Sequence, residues 1–370
     1  MALVPPYIAA LRAYEAGRSI EEVQKQFGHT RVAKLASNEN PLGTSPLAIE
    51  AMRAALGAGF NRYGDGGMRL RVALAERFGT RPDNVIAASG SESLLSSIVR
   101  AFLSDDDEVL TTEAAFIGFK VTAQSRGVEY REVPYRDYHY DLAGLADAIT
   151  PKTKIIYLAN PNNPTGTIFT RGEFEAFYAR VPERVLIILD EAYFEYARHV
   201  AEYPDSLRYR YDNVITLRTF SKAYGLAGIR IGYGLAHEEL IGQLLKIKLP
   251  FEPSGLAQAG AIAALDDADF LARTLVLNAR SLGMLNDGLR RLGLRAAPSL
   301  ANFVMAPLES AEAARGLTRG LLEQGVIVRP LAAFGLPHAI RISTGTIEET
   351  QRCLQALAVA MGREEIVCQP

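Results

Sequence analysis

The sequence predicts an α/β fold: a mostly parallel sheet with helices on both faces, followed by a smaller α+β domain. Three observations predict it. Short runs of β-branched and aliphatic residues recur between about residues 85 and 217. They are apolar on successive positions, as strands buried on both faces are. Between them lie segments with apolar residues three and four apart, so helices join the strands and the strands run parallel. After about Pro250 the pattern changes to two helical segments, then three short strands.

Taken in order, Val85-Ile86-Ala87-Ala88 predicts a strand ended by Ser89-Gly90. From Ser91 to Phe102 the residues Leu94, Leu95, Ile98, Val99 and Phe102 form a helical stripe. Val109-Leu110 begins a second strand, Ile155 to Ala159 is a third, Val185 to Leu189 a fourth and Val214 to Leu217 a fifth. Beyond Pro250, helices are expected over Leu256–Leu265 and Leu271–Leu292. Strands are expected at Asn302–Met305, Val326–Val328 and Ala339–Ile342, with a closing helix from Glu348 to Met361. The expected division is an N-terminal arm (1–34), a large domain (35–250) and a small C-terminal domain (251–370). No internal repeat or low-complexity segment interrupts it.

A chain of 370 residues, 48% hydrophobic, can bury a core large enough for two domains. Forty basic residues oppose forty-two acidic ones, for a net charge of -2, which gives no general reason to bind nucleic acid or an anionic membrane. The only cysteines, Cys353 and Cys368, make no disulfide framework. The five histidines lie outside metal-ligand spacing of one another and of the cysteines. Met1-Ala2-Leu3-Val4-Pro5-Pro6 lacks the basic and apolar regions of a signal peptide. A cytoplasmic protein is expected.

In sheets of this kind ligands sit beyond the carboxyl ends of the strands. Asp190 follows five apolar strand residues, so its carboxylate is expected to be poorly solvated and in need of a partner; capping the next helix is its other reading. Lys222, in Thr219-Phe220-Ser221-Lys222, follows another strand. A desolvated lysine in a cation-rich site has a depressed pKa and attacks aldehydes to form a Schiff base. The Thr219 and Ser221 hydroxyls and Arg230 can share one anion. Asn160-Pro161-Asn162-Asn163-Pro164-Thr165-Gly166 is a rigid turn beyond a strand end, a turn alone or a mount for an amide. Gly90-Ser91-Glu92 opens a helix whose free N–H groups favour a phosphate.

The order Asn-Pro-Thr-Gly, Asp-x-x-Tyr, Ser-Lys and an arginine eight residues later resembles the type I fold of pyridoxal-phosphate aminotransferases, from about Ala36 to the last helix. That resemblance implies a seven-stranded sheet and pyridoxal 5'-phosphate as cofactor. It implies Lys222 as the Schiff-base lysine, Asp190 on the pyridine nitrogen, and Asn163 and Tyr193 on the ring's phenolic oxygen. Thr219, Ser221, Arg230, Ser91 and Glu92 would hold the phosphate, and Phe116 would stack on the ring. Tyr63, in Asn61-Arg62-Tyr63, would reach the phosphate of a partner subunit's cofactor, which implies a homodimer with shared sites. The substrates implied are an amino donor and a 2-oxo acid acceptor.

Lys34-Leu35-Ala36-Ser37-Asn38-Glu39-Asn40-Pro41-Leu42-Gly43, Val326 to Pro330 and Arg341-Ile342-Ser343-x-Gly345 resemble signatures of the histidinol-phosphate aminotransferase subfamily. Asn38, Arg329, Arg341 and Tyr14 are then expected at the substrate, the two arginines and the tyrosine on its phosphate through forked hydrogen bonds. Two departures stand out. Tyr14-Glu15-Ala16-Gly17 lacks the subfamily's proline, and Lys248 to Ser254 lacks the arginine and asparagines many members carry. Aminotransferases acting on phenylalanine or tyrosine share the framework, and related decarboxylases share the cofactor site. A non-catalytic pyridoxal-phosphate-binding regulator would need a DNA-binding segment, for which some 35 residues before the match are too few.

Overall fold

The structure, a computed structural model, describes residues 3–11, 17–57, 61–208 and 212–363. Among the described residues eleven strands form two sheets: β1 (Ala33–Leu35), β2 (Val85–Ala88), β3 (Glu108–Thr112), β4 (Glu129–Val133), β5 (Thr153–Ala159), β6 (Leu186–Asp190), β7 (Val214–Thr219), β8 (Gly232–Leu235), β9 (Phe303–Pro307), β10 (Val326–Pro330) and β11 (Ala339–Ser343). The larger sheet has seven strands in the order β2-β8-β7-β6-β5-β3-β4. All its pairs are parallel except the two made by β8, which runs against both β2 and β7.

Successive residues of a strand face opposite sides, and both sides are packed. From β5, Ile155 and Tyr157 meet the helices Ser91–Phe102, Ile117–Gln124 and Glu238–Ile247, while Ile156 and Leu158 meet Leu142–Asp147 and Arg171–Tyr178. A strand buried on both faces has no polar side to show, which is why these strands read as unbroken apolar runs. Two strands escape that pattern. Edge strand β4 is Glu-Tyr-Arg-Glu-Val and half exposed. β8 is Gly-Tyr-Gly-Leu, and at Gly232 a β-carbon would lie 2.7 Å from the Ser91 nitrogen, so only glycine lets the helix start approach.

The second sheet has the order β1-β10-β11-β9, with β1 parallel to β10 and the other pairs antiparallel. The N-terminal segment thus joins strands some 290 residues later through the pairs Ala33–Val326 and Leu35–Val328. The helices Ala268–Arg291, Ala311–Glu323 and Ile347–Ala360 cover this sheet. Cys353 is buried there with its thiol pushed up to about 12 by desolvation, which makes it an inert core residue. No helix among the described residues is long and apolar enough to cross a membrane.

Candidate active site

The carboxyl ends of β5, β6 and β7, the start of helix Ser91–Phe102 and the facing strands β10 and β11 enclose a cleft of about 1060 Å³, its open mouth included. Of the residues expected at the site, Asn38, Ser91, Glu92, Phe116, Asn163, Asp190, Tyr193, Thr219, Ser221, Lys222, Arg230, Arg329 and Arg341 all line it. Tyr63 does not. It is 82% exposed and stacks on Phe251, with ring centroids 4.2 Å apart. Tyr14 lies outside the described residues.

Asp190 is the last residue of β6 and is buried. Tyr157 Oη donates to its Oδ2 at 2.8 Å and the Ala192 N–H to its Oδ1 at 3.2 Å. Burial outweighs these donors and lifts the carboxyl from its ordinary 3.8 to about 6. Nothing in the sequence marks Tyr157, because it sits inside an apolar strand. The register pairs it with Ile188, two residues before Asp190, and so sets it on the Asp190 face of the sheet.

Lys222 Nζ donates to the Ser37 carbonyl at 3.1 Å. Desolvation first, and the nearby Arg341 charge second, lower its pKa from 10.5 to about 8. Arg341 is buried on β11. It donates through Nη1 to Asn163 Oδ1 and through Nη2 to the Ala36 carbonyl at 2.8 Å, and it lies over the rings of Phe303 and Phe334. Asn163 therefore turns its amide oxygen toward Arg341 and keeps its N–H groups for another partner. Three consecutive residues of the entering chain, Ala36, Ser37 and Asn38, thus bond to Arg341, Lys222 and Tyr193.

Opposite them is a cradle suited to an anion. Gly90 precedes helix Ser91–Phe102 and offers no side chain to cap it, so the first N–H groups are free of such a partner. A β-carbon on Gly90 would lie 2.8 Å from Arg230 Nη2 and fill the cradle. Arg230 Nη2 stands 3.3 Å from Glu92 Oε2 in a half-exposed pair, and Thr219 Oγ1 meets Ser221 Oγ at 3.0 Å. Behind the site, each next to a site residue in sequence, Glu191 and Arg218 form a buried ion pair at 2.7 Å, joined by Asp205 at 2.8 Å. It ties the end of β6 to β7. No pattern along the chain signals this pairing, since it depends on two strands meeting.

The family model for class I and II aminotransferases matches residues 30–357. The chain is 43% identical over 366 residues to a histidinol-phosphate aminotransferase from Anaeromyxobacter sp., covering 98% of this chain and 100% of that one. It is 44% identical over 367 residues to histidinol-phosphate aminotransferase 2 from Ralstonia nicotianae, covering 98% of each. Among solved structures, that of histidinol-phosphate aminotransferase from Sinorhizobium meliloti in complex with pyridoxal 5'-phosphate superposes with a TM-score of 0.89, at 33% identity and 98% coverage of both chains.

Proposed function

From the premise that this chain belongs to the class I and II aminotransferases, enzymes dependent on pyridoxal 5'-phosphate, we propose that it transaminates histidinol phosphate, with 2-oxoglutarate as amino acceptor, as a homodimer. The observation that carries the substrate is the register of β10 on β11, which sets Arg329 directly opposite Arg341. Cross-strand partners project from the same face, and like charges there repel. Both line the cleft, and an anion with two charges, such as a phosphate monoester, turns the repulsion into binding. The identity to histidinol-phosphate aminotransferases supports the same substrate.

When bound, the cofactor supplies an aldehyde that condenses with amines and a ring that accepts the electrons left when an α-proton departs. The residues present fit it. Asp190, buried and in want of a positive partner, holds a proton on the pyridine nitrogen. Lys222 holds the cofactor's aldehyde carbon through Nζ and moves the α-proton with the same nitrogen. Asn163 and Tyr193 donate to the phenolic oxygen, and Phe116 packs on the ring. The N–H groups at Ser91 and Glu92, with Thr219, Ser221 and Arg230, take the phosphate. Arg341 holds the substrate's anionic end and excludes neutral side chains from it, with Arg329 beside it.

The test is the specificity constant for histidinol phosphate, phenylalanine and tyrosine, each against 2-oxoglutarate. Histidinol phosphate is expected to lead. Arg329→Ala is expected to lower its kcat/KM roughly ten- to a hundred-fold, the worth of a charge-assisted hydrogen bond of about 1.5–3 kcal/mol, and to spare the aromatic amino acids. Arg341→Ala is expected to damage both half-reactions, since one pocket serves both substrates. A wild-type preference for an aromatic amino acid overturns the substrate and leaves the aminotransferase untouched.

The homodimer rests on Tyr63. A tyrosine that is 82% exposed, stacked on the half-exposed Phe251 and not lining its own chain's cleft is free to enter a partner's. Tyr63→Phe keeps the ring and removes the hydroxyl. We expect cofactor affinity to fall about tenfold or more while sedimentation still reports a dimer. A fully active monomer of the wild type contradicts the shared site.

A further inference from the structure

Asn38 is held as if its orientation mattered. Its φ is 56°, in the left-handed region where asparagine is the most readily accepted residue after glycine. The side chain is fully buried at the cleft wall with both ends of its amide engaged. Nδ2 donates to Tyr193 Oη at 2.8 Å, and Oδ1 accepts from Ser343 Oγ at 2.7 Å. The main-chain N–H of Asn38 donates to the same Ser343 Oγ at 2.9 Å, and Asn302 Nδ2 donates to the Asn38 carbonyl at 3.0 Å. Ser343 lies on β11 two residues after Arg341, on the same face.

These bonds fix where the protons point. Ser343 Oγ receives the Asn38 main-chain N–H and sends its own hydrogen to Asn38 Oδ1. The amide therefore presents its NH2 to Tyr193. A phenol oxygen that receives a hydrogen on one side directs its own hydrogen elsewhere, and here the open direction is the cleft. Turning the amide over would aim the Tyr193 hydrogen at Asn38 and strip the Ser343 hydroxyl of its acceptor. Accepting a bond also makes a hydroxyl a stronger donor.

We propose that Asn38, anchored by Ser343, is a positioning residue that makes Tyr193 an obligate hydrogen donor into the cleft and so sets how strongly Tyr193 stabilises the anionic phenolic oxygen of the bound cofactor. The inference rests on the proposed placement of Tyr193 at that oxygen. β11 then organises both donors to it, one through Arg341 and Asn163, the other through Ser343 and Asn38. The charged groups facing Tyr193 are Arg341, Asp190 and Lys222, and the variants below leave all three in place. Burial raises the Tyr193 phenol above its ordinary range, so it keeps a hydrogen to give.

The experiment is a pH titration of the visible absorbance of purified holoenzyme. A donor to the phenolic oxygen favours the deprotonated chromophore, so losing it raises the midpoint. Asn38→Gly keeps the left-handed backbone and removes only the relay, and is expected to raise the midpoint by roughly one pH unit. Ser343→Ala, which frees the amide to turn, is expected to move it the same way. Tyr193→Phe is expected to raise it at least as far, and the Asn38→Gly/Tyr193→Phe double variant no further than Tyr193→Phe alone. An unmoved midpoint in Asn38→Gly, or an additive double variant, overturns the relay while leaving Tyr193 at the cofactor. An unmoved midpoint in Tyr193→Phe overturns the placement of Tyr193 and the relay with it.

Discussion

Lys222→Ala is expected to reduce transamination by roughly 10⁴-fold or more, because in the proposed mechanism one nitrogen both holds the cofactor and moves the α-proton. Borohydride is expected to fix the cofactor to the wild-type protein at Lys222 and to leave the variant unlabelled. Labelling of another lysine in the wild type would displace Lys222 from its role. The site also predicts how fast the apoprotein takes up its cofactor. A pKa lowered from 10.5 to about 8 by desolvation and the Arg341 charge raises the free-amine fraction at pH 7 by ~300-fold over an ordinary lysine. The rate of covalent loading should climb about tenfold per pH unit below pH 8 and level off above it. Arg341→Ala removes the second-largest cause, so its loading profile should shift to higher pH. A rate still climbing steeply past pH 9 in the wild type is the result that sinks this account.

The sequence makes Lys222 and Asp190 legible for one reason, a charged group at or just past the end of an apolar strand, and Arg230 legible only through its spacing eight residues after Lys222. A polar residue ending an apolar run has no structural excuse except a ligand or a cap. The helix Ser91–Phe102 was readable to the residue from its stripe. What stayed hidden depends on pairing across the sheet. Tyr157 looks like one more member of a buried strand until the register with β6 puts it beside Asp190. Glu191 and Arg218 are 27 residues apart and meet only because β6 and β7 are neighbours. β8 and β4 lack the apolar signal, one because close backbone approach demands glycine, the other because an edge strand faces water. Lys34 and Leu35 are recognisable as the start of a motif but not as part of a strand, since their partners lie near residue 327. The hydrogen bonds of Asn38 likewise join three segments of the chain, residues 38, 193 and 343.

Asp190→Asn is expected to separate function from stability. In the cofactor-free protein burial lifts this carboxyl from 3.8 to about 6. Between those values the folded chain binds more protons than the unfolded one, so stability falls as pH rises through that window, and the whole cost is present at pH 7. A shift of that size corresponds to about 2–3 kcal/mol. An amide carries no such cost. It can accept the Ala192 N–H through its oxygen and donate to Tyr157 Oη through its nitrogen, with the Tyr157 hydroxyl turned the other way. The apo variant should therefore be more stable than the wild-type apoprotein at pH 7, and the advantage should vanish near pH 4. Cofactor binding reverses the ranking. In the proposed placement the carboxylate gains a protonated ring nitrogen as partner and the amide does not, so the variant should bind cofactor more weakly and abstract the α-proton orders of magnitude more slowly. Urea titrations of both apoproteins at pH 4 and pH 7, set beside single-turnover rates of the holoenzymes, check both halves. Near wild-type turnover would remove Asp190 from the chemistry. An apo variant less stable than wild type at pH 7 would show that the buried carboxylate is already compensated by Tyr157 and Ala192, and that cofactor binding does not relieve it.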